Sequence, residues 1–172
     1  MSAFVINIQA QDKNGKLTRE QKKELKRIQQ EKEMRVIDSI IDLRQFVLEA
    51  NYIKDKRGQS FAVSSTINFI MIDSAKAVFQ FGSVRLIGIN GLGGVTVEGN
   101  VTGYNVQKRE KSNSYYIKIN ISASTGFYEI RLNISSGGMA DAQVTALSSN
   151  RIAYSGIIVP LQESRIFQGM SR

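Results

Sequence analysis

The feature that most constrains this chain is a pair of neighbouring segments in which apolar and polar residues alternate almost without error. In SYYIKINIS, Tyr115, Ile117, Ile119 and Ile121 alternate with Tyr116, Lys118, Asn120 and Ser122. In FYEIRLNIS, Tyr128, Ile130, Leu132 and Ile134 alternate with Phe127, Glu129, Arg131 and Asn133. Successive side chains of a strand point to opposite faces, so each segment predicts a strand with one apolar and one wet face, as in antiparallel sheets that cover a core from one side. The intervening segments carry turn chemistry: KREKSNS joins strands at 101–109 and 114–122, STG leads to 127–135, SSGG to 139–147, and SSNR to a last strand, IAYSGIIV. Upstream, FAVSSTINFIMI (61–72) places Phe61, Val63, Ile67, Phe69 and Met71 on one face, and Asp73-Ser74 turns the chain into AKAVFQF. Short strands with short connections predict an antiparallel meander over 60–160. Each large aliphatic side chain it buries contributes about 1.5–3 kcal/mol before entropy.

The first third of the chain is different. MSAFVINIQA followed by QDKNGK has the apolar stretch, the small Ala10 and the abrupt polarity of a secretory leader, without its basic start; a short strand is the alternative. Residues 1–16 are therefore read as a leader remnant and linker, and 17–172 as one domain that works in the periplasm or outside the cell. T-R-E-Q from Thr18 is a capping box, and a helix is expected over 18–50. Its first half is charged; its second half carries Val36, Ile37, Ile40, Ile41, Leu43, Val47 and Leu48 at spacings of three and four, a stripe to lay on the sheet. Asn51 reads as the stop.

The stretch LIGINGLGGVTVEGNVTG (86–103) is dense in glycine, which suggests either a phosphate cradle or a bending sheet. Gly94 is followed by Val-Thr-Val where a P-loop needs Lys, and Thr96 stands where a dinucleotide loop needs its third glycine. The stretch reads instead as a loop at 88–94, then a strand that Gly99 and Gly103 allow to bulge or bend.

Chemistry is narrowed by what is missing. With no His and no Cys, Ser-His-Asp and Cys-His catalysis and Cys/His zinc sites are excluded. The carboxylates of the sheet region are Asp73, Glu98, Glu110, Glu129 and Asp141; Glu98 with Glu129 is the pair a carboxylate-dependent hydrolase would need, yet Glu129 falls on the wet face beside Arg131. A net charge of +8 suits anionic partners. Along the helix, however, Lys22, Lys23, Lys26, Arg27, Lys32 and Arg35 are interleaved with Glu20, Glu24, Glu31 and Glu33, the pattern of a solvated face and not of a nucleic-acid or membrane-surface binder. Asn100, Asn120 and Asn133 stand in formal glycosylation triplets, and DSA at 73–75 matches a short O-glycosylation signal that a plain turn explains equally well. Phe79, Phe81, Tyr104, Tyr115, Tyr128 and Tyr154 are candidates to line a ligand pocket on curved strands, or are plain core.

RQFVLEA, VFQFG, GLGGVTVEG, YEIRLNIS and SSNRIAYSGII, spread over about residues 40–160, together resemble the secreted bacterial family known as domain of unknown function 4251. The resemblance implies an export signal and brings no catalytic residues, since the family has no established activity.

The sequence therefore predicts an α+β domain: a long N-terminal helix packed on a strongly twisted antiparallel β-meander of six to eight strands, curled toward a half-barrel. The expected function is that of a non-enzymatic envelope protein binding an unknown protein or ligand through its sheet, with no cofactor, no nucleic acid and no membrane-spanning segment. The alternatives are a carrier of a small apolar molecule between helix and sheet and, third, the carboxylate hydrolase. A cavity of roughly 300 Å³ under the helix would favour the carrier; a filled core with exposed apolar groups would favour the module.

Overall fold

The computed structural model describes residues 17–54, 58–82, 94–146 and 151–171. The leader-like segment, the loop at 88–93 and the link 147–150 lie outside the described residues.

Helix α1, Arg19–Leu43, starts where the capping box sets it. The Thr18 hydroxyl accepts from the Gln21 amide at 3.2 Å while the Gln21 side chain accepts from the Thr18 amide at 2.9 Å, satisfying two of the donors that a helix start leaves unpaired. Its first half is held largely in solvent, with Arg27 bridging Glu24 at 2.6 Å and Glu31 at 2.5 Å. Its last turns bury Met34, Ile37, Ile40 and Ile41.

The helix ends at Leu43, not at Ala50. Arg44 turns left-handed (φ 55°), its amide donates to the carbonyl of Ile41 at 3.2 Å, and Gln45–Lys54 continues as strand β1. The error has a physical cause. Strand β1 is covered on both faces: Phe46, Leu48 and Ala50 point into the main core, while Val47 joins a second small cluster on the other side. A strand buried on both sides loses its alternation and cannot be told from a helix by spacing.

The remaining strands are β2 (Ser60–Ala62), β3 (Phe69–Asp73), β4 (Lys76–Phe81), β5 (Val95–Arg109), β6 (Ser114–Ala123), β7 (Gly126–Ile134), β8 (Met139–Ala146) and β9 (Arg151–Pro160). The single strand expected over 61–72 is thus split in two, and its inward face is the opposite one: Ile70 and Ile72 enter the main core, Phe69 and Met71 the second cluster, and Phe61 is exposed.

All neighbouring strands pair antiparallel in the order β1-β3-β4-β5-β6-β7-β8-β9, and β1 also pairs with β9 through Phe46–Lys54. Eight strands therefore close a barrel, with β2 a ninth, short strand beside the far end of β1. The half-barrel falls short of this, and the count of six to eight reaches the eight barrel strands but leaves out β2. The closing strand β1 was hidden in the segments read as helix end and loop, and β2 in the single strand expected over 61–72.

Two bulges let the barrel keep its filling. Along β5 the interior residues are Val97, then partly buried Val101, but past the register shift between Val101 and Gly103 the interior residue is Tyr104. The extra residue moves the inward set from odd to even positions. The same happens in β1 between Ala50 and Tyr52, after which Ile53 replaces the even series; Asn51 is part of this bulge and not a helix stop. Opposite that bulge, a Cβ on Gly156 would collide with the carbonyl of Glu49, so a glycine is needed for the approach of β9 to β1. Gly99 has the same role, as a Cβ there would lie 2.6 Å from the Ser122 carbonyl oxygen. From Val95 onward the glycine-bearing stretch is strand and opens no helix, in keeping with the sheet reading.

The interior is one cluster running from the helix residues Met34, Ile37, Ile40 and Ile41 through Ile117, Ile119, Ile130 and Leu132. An eight-stranded barrel is just wide enough for side chains to fill. The helix lies across the mouth where β6 and β8 begin, packed against β1 and β9.

Outside the barrel, the chain leaves β9 through a 3-10 turn, Leu161–Glu163, and returns as an extended strap over β1, β3 and β4. Leu161 and Ile166 cover Val47, Phe69 and Val78. The fully buried Gln80 holds the strap main chain, donating to the Phe167 carbonyl at 3.0 Å and accepting from the Gly169 amide at 2.8 Å.

Candidate functional site

The six aromatic residues proposed as pocket lining are all part of, or packed against, the barrel interior, but they divide into two groups. At the helix mouth, Tyr104 and Tyr115 use their hydroxyls to dock the helix. Tyr104 donates to the Ile41 carbonyl at 3.1 Å, and Arg44 stacks over its ring at 4.7 Å. Tyr115 donates to Asp38 Oδ1 at 2.5 Å, and Lys108 binds the other oxygen of Asp38 at 3.1 Å. Burial raises both phenols above their ordinary range, and the Tyr115 and Asp38 bonds raise the Lys108 ammonium. These two tyrosines are therefore helix anchors.

Phe79, Phe81 and Tyr128 lie toward the other mouth. Phe79 meets Tyr128 edge-on with centroids 4.9 Å apart, and the Tyr128 hydroxyl pairs with Thr125 at 2.9 Å. Tyr154 stands between the groups. It is fully buried, and its hydroxyl has no hydrogen-bond partner among the described residues. Desolvation pushes that phenol well above its ordinary value. An unsatisfied buried hydroxyl costs about 1–3 kcal/mol.

The carboxylates do not assemble into an acid-base pair. Glu129 binds Lys118 at 2.6 Å and Arg131 at 2.7 Å, and the Lys118 bond above all holds its carboxyl below the ordinary value. Glu98 instead meets Gln168 of the strap at 3.4 Å, Asp73 accepts from Gln45 at 3.2 Å, and Asp141 from Ser155 at 2.5 Å; Glu110 opens the 3-10 turn between β5 and β6. Among the described residues no group of three or more acidic side chains could hold a metal ion, and no helix is long and apolar enough to cross a membrane.

The outer face of β5–β8 carries a groove of about 390 Å³. Thr102, Asn120, Glu129 and Thr145 form a polar row across four strands, and Phe127, 59% exposed, stands beside it. The alternation in FYEIRLNIS already put Phe127 outward. What sequence did not show is that the β5 bulge brings Thr102 into the same row. Nor did it find the buried polar set of Asn68, Gln80 and Thr96 under the strap; a glutamine between two phenylalanines in AVFQF is the one trace of it.

Comparison with known proteins agrees with this architecture. Among curated proteins none matches. A crystal structure of a DUF4251 family protein from Bacteroides eggerthii DSM 20697 superposes with a TM-score of 0.65 at 29% identity, covering 78% of this chain and 92% of that one. The sequence model described as Domain of unknown function (DUF4251) matches residues 28–158, which run from within α1 to the end of β9 and leave out the strap. The chain belongs to the DUF4251 family of domains of unknown function.

Proposed function

We propose that this chain is a non-enzymatic binding protein of the cell envelope that engages a partner protein or ligand through the outer face of β5–β8. The observation that carries this reading is the groove on that face, with an uncovered phenylalanine on rigid strands beside hydrogen-bonding side chains. Exposed aromatics with polar neighbours are where binding energy concentrates. The envelope placement is supported by the leader-like start of the sequence. The non-enzymatic reading is supported by carboxylates that each occupy a separate pair. The test is native mass spectrometry of the protein purified from its own cell envelope, as wild type and as Phe127→Ser. A stoichiometric companion that the variant loses is the expected result; a bare wild-type monomer overturns the proposal.

A second reading, carriage of a small apolar molecule inside the barrel, is favoured by one observation: the orphaned Tyr154 hydroxyl, which a ligand with an acceptor atom would satisfy. The tight cluster beneath the helix weighs against it. A co-purifying lipid whose yield falls in Tyr154→Phe would select this reading over the first.

A further inference from the structure

The helix surface reads as evenly mixed charge along the chain, but the fold breaks that balance at one place. The turn between β5 and β6, Lys111–Asn113, comes up beside α1, and together with Ser136 they enclose a groove of about 460 Å³. Two carboxylates line it, and both are already engaged: Glu31 with Arg27 at 2.5 Å, and Asp38 with Lys108 at 3.1 Å and Tyr115 at 2.5 Å. Three cations also line it: Arg27, held by Glu24 and Glu31, and Arg35 and Lys111, neither of which has a carboxylate partner among the described residues. Amide and hydroxyl groups of Gln30, Ser112, Asn113 and Ser136 supply the rest of the wall, with Met34 as its one apolar side chain.

We infer that this groove binds an anionic saccharide: a sugar bearing a phosphate or carboxylate, with the anionic group between Arg35 and Lys111 and the ring hydroxyls against Gln30, Asn113 and the serines. The chemistry follows from the lining. Free guanidinium and ammonium groups recognise an oxyanion through charge-assisted hydrogen bonds, and Arg can do so with two parallel bonds. Neutral amides and hydroxyls, each both donor and acceptor, match a hydroxyl-rich ring in a way that a bare ion does not use. The groove is at the helix end of the barrel and is independent of the outer-face groove beside Phe127.

The test is titration of the full chain with glucose 6-phosphate and with glucuronate, followed by calorimetry and by the amide shifts of Asn113 and Ser136. Glucose and inorganic phosphate serve as single-feature controls. Both anionic sugars are expected to bind, and each control to bind at least tenfold more weakly. Arg35→Gln and Lys111→Gln should each weaken binding by about tenfold, since each removes a charge-assisted contact from an exposed position that folding does not need. Glu31→Gln should tighten it severalfold by removing a negative charge from the groove wall. Phosphate binding as well as glucose 6-phosphate would overturn the saccharide and leave an anion patch. Absence of saturable binding, or equal binding by wild type and the Arg35→Gln/Lys111→Gln double variant, would overturn the site.

Discussion

The two halves of the barrel wall are built on different terms. Strands β6, β7 and β8 have an apolar inner face and a wet outer one, where Lys118, Glu129 and Arg131 form an ionic row and Phe127 stands uncovered. Strands β1, β3 and β4 are apolar on both faces, because the strap lies over Val47, Phe69 and Val78. The strapped half behaves as the middle layer of a three-layer structure. The difference teaches where binding can happen: the open half has outward side chains to offer, whereas the strapped half has already used its outer face to hold its own chain.

Four substitutions or conditions can break or sharpen that contrast. The largest effect is expected from Gln80→Ala, which strands the Phe167 carbonyl and the Gly169 amide and removes an acceptor of the Thr96 hydroxyl at 2.7 Å. A loss of about 3 kcal/mol in urea unfolding, with faster hydrogen exchange through 165–170, is expected. An unchanged midpoint would show the strap to be dispensable. Next, Val47→Ala on the strapped side should cost about 2 kcal/mol although it lies outside the barrel, because it opens a cavity beneath the strap.

The third effect is pH-dependent. Burial raises the phenol of Tyr154 above its ordinary 10.0, so the unfolded phenol ionises first as pH rises. The stability this group contributes is fully present below about pH 10 and is lost above it, at about 1.4 kcal/mol per pH unit. Tyr154→Phe should flatten that part of the alkaline slope and, having removed an orphaned hydroxyl, should leave stability at pH 7 unchanged or raised by up to about 1 kcal/mol. A clear loss at pH 7 would mean that the hydroxyl has a partner. The smallest effect belongs to the open half: Phe127→Ser should shift stability by no more than about 0.5 kcal/mol while removing the proposed binding.

The same contrast explains what sequence could convey. Where water wets one side, as at Ile117 to Ile121 and Ile130 to Ile134, polarity alternates and the strands are legible almost to the residue. Where the strap covers the outside, Phe46, Val47 and Leu48 are all buried, alternation vanishes, and the segment imitates a continuing helix. The strap itself has no pattern of its own. Its hold depends on Gln80 and Glu49, distant in sequence, reaching groups of the strap, and a single chain read by periodicity carries no sign of that. The outer-face candidates were partly legible, since Phe127 and Glu129 follow from alternation, while Thr102 depends on a bulge. The groove beside α1 was not legible at all, because it needs Lys111 to meet a helix more than seventy residues upstream.

Closure of β1 onto β9 has one further result. A sheet joined to itself has few free amides and carbonyls along its length, and among the described residues the strand backbone left open to a visiting chain is chiefly the three-residue β2 and the end of β5 from Gly103 to Arg109, which pairs only with β6. Over the rest of the wall, recognition must be written in side chains. Proteins of this build can diverge in what they hold there by exchanging outward residues, while the hidden lattice of main-chain bonds stays as it is.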